Sequence, residues 1–273
     1  MVADHRKLPN AALTGLPITS LNAKGVTAHL ASYEHINLNA IPKTLVTRRC
    51  GWREMGGKLE FVLGNRVIGL DSVSALHTDT PTRELIGEDS LKLLADPGVS
   101  GLVTSLHSRG TVEDWLEAIK LVADFPRVML GVYAALTPPL IRILGAFNFI
   151  LDYCGGTSIG KTTSQHGAAS VWGLPPGERG GLTVAWNSTQ VFAERYAELM
   201  NGLPIILEDS QTADPKTLAR TIYMLANGVG RGRGSPRGLR GVPRWRGATI
   251  SSGERPLHEV TQEGGARARI ITL

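Results

Sequence analysis

The segment Gly155-Gly156-Thr157-Ser158-Ile159-Gly160-Lys161-Thr162 constrains this chain more than any other. It satisfies G-x-x-x-x-G-K-[ST] in full. The apolar run "FNFILDYC" (147–154) before it has the length and composition of a short buried strand, and a helical run follows to about Trp172. Strand, glycine-rich loop and helix in that order form a phosphate cradle. Glycines let the backbone curl, successive N–H groups point inward, and the helix adds its positive end. Gly155, Gly156, Thr157, Ser158, Ile159, Gly160, Lys161, Thr162 and Thr163 are therefore the expected nucleotide-binding residues. Lys161 is expected to reach the β and γ phosphate oxygens, and the Thr162 hydroxyl to ligate magnesium. ATP and Mg2+ are the ligands this pattern predicts.

After the loop, strands and helices alternate. "LTVAWNS" (182–188) reads as a second strand and "TQVFAERYAELMNG" (189–202) as a helix. "LPIILED" (203–209) is a third strand, nearly all apolar, as at the buried centre of a parallel sheet. "PKTLARTIYMLANG" (215–228) is a helix ended by glycine. "RWRGATISSG" (244–253) and "RARIITL" (267–273) are a fourth and a fifth strand. The alternation predicts right-handed crossovers and a sheet covered on both faces.

A P-loop needs carboxylates on a second strand to hold magnesium and orient water. The third strand supplies Glu208-Asp209, in the reverse of the usual Asp-then-Glu order. Glu208 is thereby given the metal and Asp209 the attacking water. An additional strand between loop and acids marks the RecA/AAA+-like class, in which the fourth strand ends in a γ-phosphate sensor. Ser251 and Ser252 are the candidates, with Asn187, at the end of the second strand, restraining Asp209. Arg267 and Arg269 straddle the start of the fifth strand, where a catalytic arginine reaching a neighbouring subunit's nucleotide can sit. The fold expected is α/β: an additional-strand P-loop NTPase with a parallel sheet of about five strands, preceded by a smaller β-rich and helical module.

That division places a short-helix segment at 1–43, a β-hairpin and helical module at 44–145, and the ATPase domain at 146–273. "TLVTRRCGW" (44–52) and "KLEFVL-GN-RVIGL" (58–70) alternate apolar with polar residues, and Gly64-Asn65 supplies a hairpin turn. Residues 71–106 look irregular. "GTVEDWLEAIKLVADFP" (110–126) is the clearest helix, with Thr111 as cap and Asp114 at the third position. The apolar stretch 127–145 is broken by Pro138-Pro139 and carries Arg142, so it reads as a buried helix pair and not a membrane span. Two distant cysteines make no disulfide framework and the first residues lack the apolar core of a signal peptide, which points to the cytoplasm. His77 and His166 have no partners at metal-ligand spacing.

Net charge is +5, from 21 arginines and 8 lysines against 24 acids. Six arginines crowd into "GRGRGSPRGLRGVPRWRG" (230–247). Forked guanidinium groups suit phosphate oxygens, and a glycine-flanked cluster can follow a nucleic-acid backbone without reading sequence. Arg231, Arg233, Arg237 and Arg240 are the candidate contacts, with single-stranded DNA the expected partner. Trp245 is expected to pack the fourth strand.

Together "GW…FVLGNRVIG", "GTVEDW", "GGTSIGKTT", "ASVWG", "LPIILEDSQTAD", "MLANGVGRGRGS", "ISSGE" and "QEGGARAR" resemble the domain of unknown function 927, a family common in phages and other mobile elements. The resemblance runs from about Leu45 to the C-terminus. It implies a P-loop ATPase of a replication module, often near a primase, with a helicase role inferred from that setting. Members commonly carry Asp-Asp or Asp-Glu at the acidic pair and continue into further helical sequence, so this chain reads as a fragment. The expected activity is Mg-dependent ATP hydrolysis coupled to remodelling of nucleic acid by a homo-oligomer, with a hexameric ring as the model. An ATP-dependent switch that holds a partner without translocating is the alternative. A nucleotide kinase is disfavoured, since no second basic lid is evident.

Overall fold

The computed structural model describes residues 18–19, 21–41, 46–55, 57–64, 66–69, 92–95, 97–173, 181–235, 238–239 and 241–273. The expected turn residue Asn65, His77, the irregular stretch as far as residue 91, Arg237 and Arg240 lie outside them. The chain forms two compact units. The first contains α1 (Ala23–Ile36), closed by the Asn37 amide donating to the Tyr33 carbonyl at 3.0 Å. The second contains everything described from Val46 onward.

The second unit begins with β1 (Val46–Thr47), then β2 (Gly51–Met55), β3 (Lys58–Leu63) and β4 (Arg66–Gly69), which pair as an antiparallel meander. β5 (Lys92–Leu93) pairs in parallel with β1. Four helices follow: α2 (Ser100–Ser105), α3 (Val112–Lys120), α4 (Pro126–Leu136) and α5 (Pro138–Ile143). Thr111 and Asp114 form the expected reciprocal cap on α3. That helix stops at Lys120, six residues short of the expected end. The chain tightens into i+3 turns and Phe125 takes an extended backbone, because the residue before a proline is pushed out of the helical region. Pro138 separates α4 from α5 in another way: Thr137 keeps a helical backbone, and the proline, lacking an N–H, breaks the hydrogen-bond ladder. No described helix is long and apolar enough to cross a membrane.

The remaining elements are β6 (Phe149–Cys154), α6 (Lys161–Ala169), β7 (Thr183–Ala185), α7 (Gln190–Leu199), β8 (Ile205–Glu208), α8 (Pro215–Asn227), β9 (Gly234–Ser235), β10 (Gly238–Leu239), β11 (Ala248–Gly253), α9 (Leu257–Val260), α10 (Gly264–Arg267) and β12 (Ile270–Thr272). Five strands make a parallel sheet in the order β12-β6-β11-β8-β7. β11 therefore stands between the P-loop strand β6 and the acidic strand β8. This is the expected α/β architecture, with the small antiparallel sheet preceding it. α9 and α10 were not foreseen, and Arg267 closes α10 rather than opening the fifth strand.

All six residues of β11 are buried, and Ile150 and Leu151 of β6 and Ile205, Ile206 and Leu207 of β8 share the core with its Ile250. The N-terminal strands share that core. The Phe61 ring lies edge-on to Trp52 at 5.0 Å and stacks on Trp172 at 6.3 Å. Trp52 Nε1 donates to the Pro139 carbonyl, and the Cys50 amide to the Leu199 carbonyl. Burial pushes the Cys50 thiol up to about 11, so it is an inert packing residue. Parallel pairing puts the C-terminal ends of all five strands on one edge, and it is there that the P-loop emerges.

Candidate functional site

β6 ends at Cys154 and the chain turns at once into the loop. Gly155 has φ 151°, and a side chain there would strike Ile159 Cδ1 at 2.5 Å. Gly160 has φ 92° and leads into α6 without any side-chain cap, so the first helical amides are left for an anion. Lys161 folds back over its own loop, its ammonium donating to the carbonyls of Gly155 at 2.7 Å and Gly156 at 2.6 Å. The end of β11 pins the loop from the side. Gly155 N donates to the Gly253 carbonyl at 3.2 Å, and the Thr157 hydroxyl to Glu254 Oε1 at 3.3 Å. Glu254 is thus a carboxylate at the loop that sequence reasoning missed. Ser158, Ile159, Thr162 and Thr163 are exposed.

β8 carries Glu208, half-buried, to the same edge. Asp209 follows with φ 59° and ψ 61°, and its Oδ1 accepts from Gln211 Nε2 at 3.2 Å. Beneath the acids lies Gln165, one helical turn after Thr162 and fully buried. Its Nε2 donates to the carbonyls of Leu207 at 2.8 Å and Ile250 at 3.3 Å. Its Oε1 accepts from the Ser252 hydroxyl at 3.0 Å, and that hydroxyl accepts from Asp209 N at 3.4 Å. One glutamine therefore ties the start of α6 to β8 and β11, bringing the P-loop and the acidic pair together. Ser251 is also buried and accepts from Trp186 Nε1 at 3.0 Å, while Asn187 is exposed beside that tryptophan.

Deeper in β6, Asp152 Oδ2 accepts from Leu257 N at 2.9 Å, and its Oδ1 has no partner among the described residues. Burial pushes this carboxyl up, against the pull of the Leu257 amide, the Ser251 hydroxyl and His258. Among the described residues no cluster of three or more His, Cys, Asp or Glu is arranged for a metal ion. A magnesium ion shared with phosphates needs no such cage, and the Thr162 hydroxyl and Glu208 carboxylate are the hard oxygen donors that suit it. The residues fit the ion.

A cleft of about 390 Å³ opens beside Lys161, walled by Phe125, Pro126, Val128, Tyr153 and Ile159. Burial pushes the Tyr153 hydroxyl up to about 12, and it donates to the Arg127 carbonyl at 2.8 Å. An apolar slot next to a phosphate loop suits a flat heterocyclic base.

The arginines scatter. Arg267 is exposed at the end of α10. Arg269 stands at the start of β12, at the opposite edge from the P-loop, where Nη1 donates to Asn227 Oδ1 and the guanidinium lies 5.1 Å from the centre of the Phe147 ring. The arginine-rich connection from α8 to β11 is a two-stranded ribbon. At its base Val229 pairs with Arg244, and Gly230 N donates to the Pro243 carbonyl at 2.8 Å; at its tip β9 pairs with β10. Arg231 is exposed, but its amide donates to Glu194 Oε2 at 2.9 Å. Arg233 Nη2 donates to the same oxygen at 3.1 Å, and its Nη1 stands 3.0 Å from Oε1. Glu194 is fully buried in α7, so Arg233 is turned inward. Trp245 is buried, as its place beside the fourth strand suggested.

A family model described as Domain of unknown function (DUF927) matches residues 3–241. Among solved structures, one described as the active helicase Cch of SCCmec type IV matches with a TM-score of 0.66 at 20% identity. The match covers 99% of this chain and 47% of that one, so the chain spans about half that structure's length and the likeness is one of fold. No curated protein matches the chain.

Proposed function

The chain belongs to the DUF927 family, and we propose that it is a Mg-dependent P-loop ATPase whose turnover moves or remodels single-stranded nucleic acid. One observation carries the reading: an uncapped helix start with the Lys161 ammonium folded over its loop, joined through Gln165 to the acid-bearing end of β8. In this reading the triphosphate displaces the Gly155 and Gly156 carbonyls from Lys161, which then takes charge from the β and γ oxygens. Thr162 and Glu208 would hold magnesium, which would supply positive charge to the phosphates. Asp209 orients the attacking water. Ser252, bonded to both Asp209 N and Gln165, relays the state of the γ position, with Ser251 and Asn187 bordering it. The base enters the slot beside Phe125.

Arg267 is the arginine available to a neighbouring subunit, with Arg269 bracing the strand behind it. The α4–α5 surface leaves Tyr133, Leu140, Ile143 and Leu144 about half or more exposed, an apolar area suited to assembly into a homo-oligomeric ring. Residues 146–273 are the motor domain, preceded by the module 44–145, and Arg231, Arg237 and Arg240 of the basic stretch 230–247 are the contacts to the strand. A replication module with a primase, in the cytoplasm, is the setting this activity suits.

Lys161→Ala tests the assignment. Steady-state ATP turnover should fall to background while circular dichroism and melting stay unchanged, because the ammonium serves phosphate and not the core. A folded Lys161→Ala protein with full turnover would sink the ATPase. Turnover in the unaltered protein that ignores single-stranded DNA would favour the switch over the motor.

A further inference from the structure

The edge of the sheet opposite the P-loop carries a second basic site. There the starts of β6, β11 and β12 meet the end of α5 and the turn before β2 around a cleft of about 350 Å³. Five arginines line it: Arg49, Arg142, Arg244, Arg246 and Arg269. They come from four separate stretches of the chain, so the fold and not local composition brings them together. Among the described residues no Asp or Glu lines the cleft.

Neutral acceptors orient these side chains. Arg49 Nη1 donates to the Arg244 carbonyl at 3.3 Å, Arg246 Nη1 to the Ala146 carbonyl at 3.2 Å, and Arg142 Nη1 to the Trp52 carbonyl. Arg269 is held by Asn227 and the Phe147 ring. Among the described residues none of the five meets a carboxylate, so the charges of Arg49, Arg142, Arg246 and Arg269 are held in place without being neutralised, and Arg244 adds an exposed guanidinium beside them. Arg49, Arg142, Arg244 and Arg246 are exposed. Guanidinium forks held this way match phosphate oxygens. Phe147, 75% exposed, adds an open ring face of the kind on which a base stacks.

The shape favours a polymer over a lone anion. Val229 and Arg244, which line the cleft, also pair at the base of the arginine-bearing ribbon. A strand lying along the ribbon therefore runs directly into the cleft. The amide of Asn201, another lining residue, is spent on the Cys50 carbonyl and Arg246 N, so it is not free to read base edges.

We propose that this cleft binds the phosphodiester backbone of a single nucleic-acid strand, without sequence preference, at the end of the sheet opposite the nucleotide. The inference rests on the nucleic-acid reading above and moves the principal contacts to Arg49, Arg142, Arg244 and Arg246.

The test is anisotropy of a fluorescent oligothymidylate, titrated across salt, with the full chain and its R49Q/R142Q/R244Q/R246Q variant. Glutamine keeps donors for the backbone carbonyls while removing charge. The slope of log affinity against log salt should flatten by roughly 0.7 per arginine, about 3 in all. The corresponding lysine set should recover most of it. A folded glutamine variant with an unchanged slope overturns the proposal. If that variant does not fold, R49Q alone should lose about 0.7 of slope, and no loss there overturns it equally. Calorimetry with inorganic phosphate separates the sources: phosphate binding lost in the glutamine variant, with oligonucleotide binding intact, makes the cleft a small-anion site and defeats the strand assignment. Turnover is read separately. An active Lys161→Ala protein sinks the ATPase and leaves the cleft, whereas an unchanged slope sinks the cleft and leaves the ATPase.

Discussion

Asp209 holds a left-handed backbone that costs most side chains about 1–2 kcal/mol and that Asp and Asn tolerate best. Asp209→Asn should therefore keep the turn and the melting temperature, so its kinetics report chemistry alone. Its ATP turnover should drop at least about 100-fold with nucleotide still bound, in the range for losing a group that positions a reactant. Glu208→Gln should instead weaken the magnesium dependence of nucleotide binding. If Glu208→Gln traps bound ATP while Asp209→Asn is harmless, the two roles are exchanged. The P-loop was readable because its eight residues are contiguous and their chemistry lies in the backbone. Gln165 and Glu254 were not, because their meaning lies in partners far along the chain. Ser252 meets Gln165 across 87 residues, and Thr157 meets Glu254 across 97. A buried glutamine one turn into a helix looks like any polar residue until the carbonyls of two strands close on it.

The ribbon between α8 and β11 shows the same limit one scale up. Composition marked it as a basic cluster, and nothing in the order of its residues says which arginine is used internally. Arg233 neutralises the fully buried Glu194, and removing one partner of such a pair leaves an uncompensated charge. Arg233→Ala should cost about 3–5 kcal/mol in chemical denaturation. Arg231→Ala, an exposed neighbour, should leave the midpoint unchanged. A wild-type midpoint in Arg233→Ala would return that side chain to the nucleic-acid surface. Strands and long helices of the sheet could be placed from apolar runs, caps and glycine stops. α9 and α10, four residues each, are too short to show a period. The end of α3 depended on a proline six residues further on.

At the scale of the whole molecule, the sheet has two chemically distinct ends, joined by strands only some 20 Å long at about 3.3 Å per residue. Acids and the P-loop occupy one edge and uncompensated arginines the other, so nucleotide and strand need not compete for space. Assembly is tested by mixing. Arg267→Ala and Lys161→Ala proteins, each inactive alone, should regain turnover together if Arg267 serves a neighbour's nucleotide. No recovery, with light scattering demonstrating mixed oligomers, counts against it. The strand order also bears on how the chain is made. β6 lies between β11 and β12, and its register with β11 joins Phe149 to Ala248, about 100 residues later. A ribosome adding about 5–20 residues per second leaves the apolar edges of β6 bare for roughly 5–20 seconds before a neighbour emerges. Contacts this distant slow folding as well as delay it. The nascent protein therefore passes through a window in which its most buried strands are open to contact with other chains.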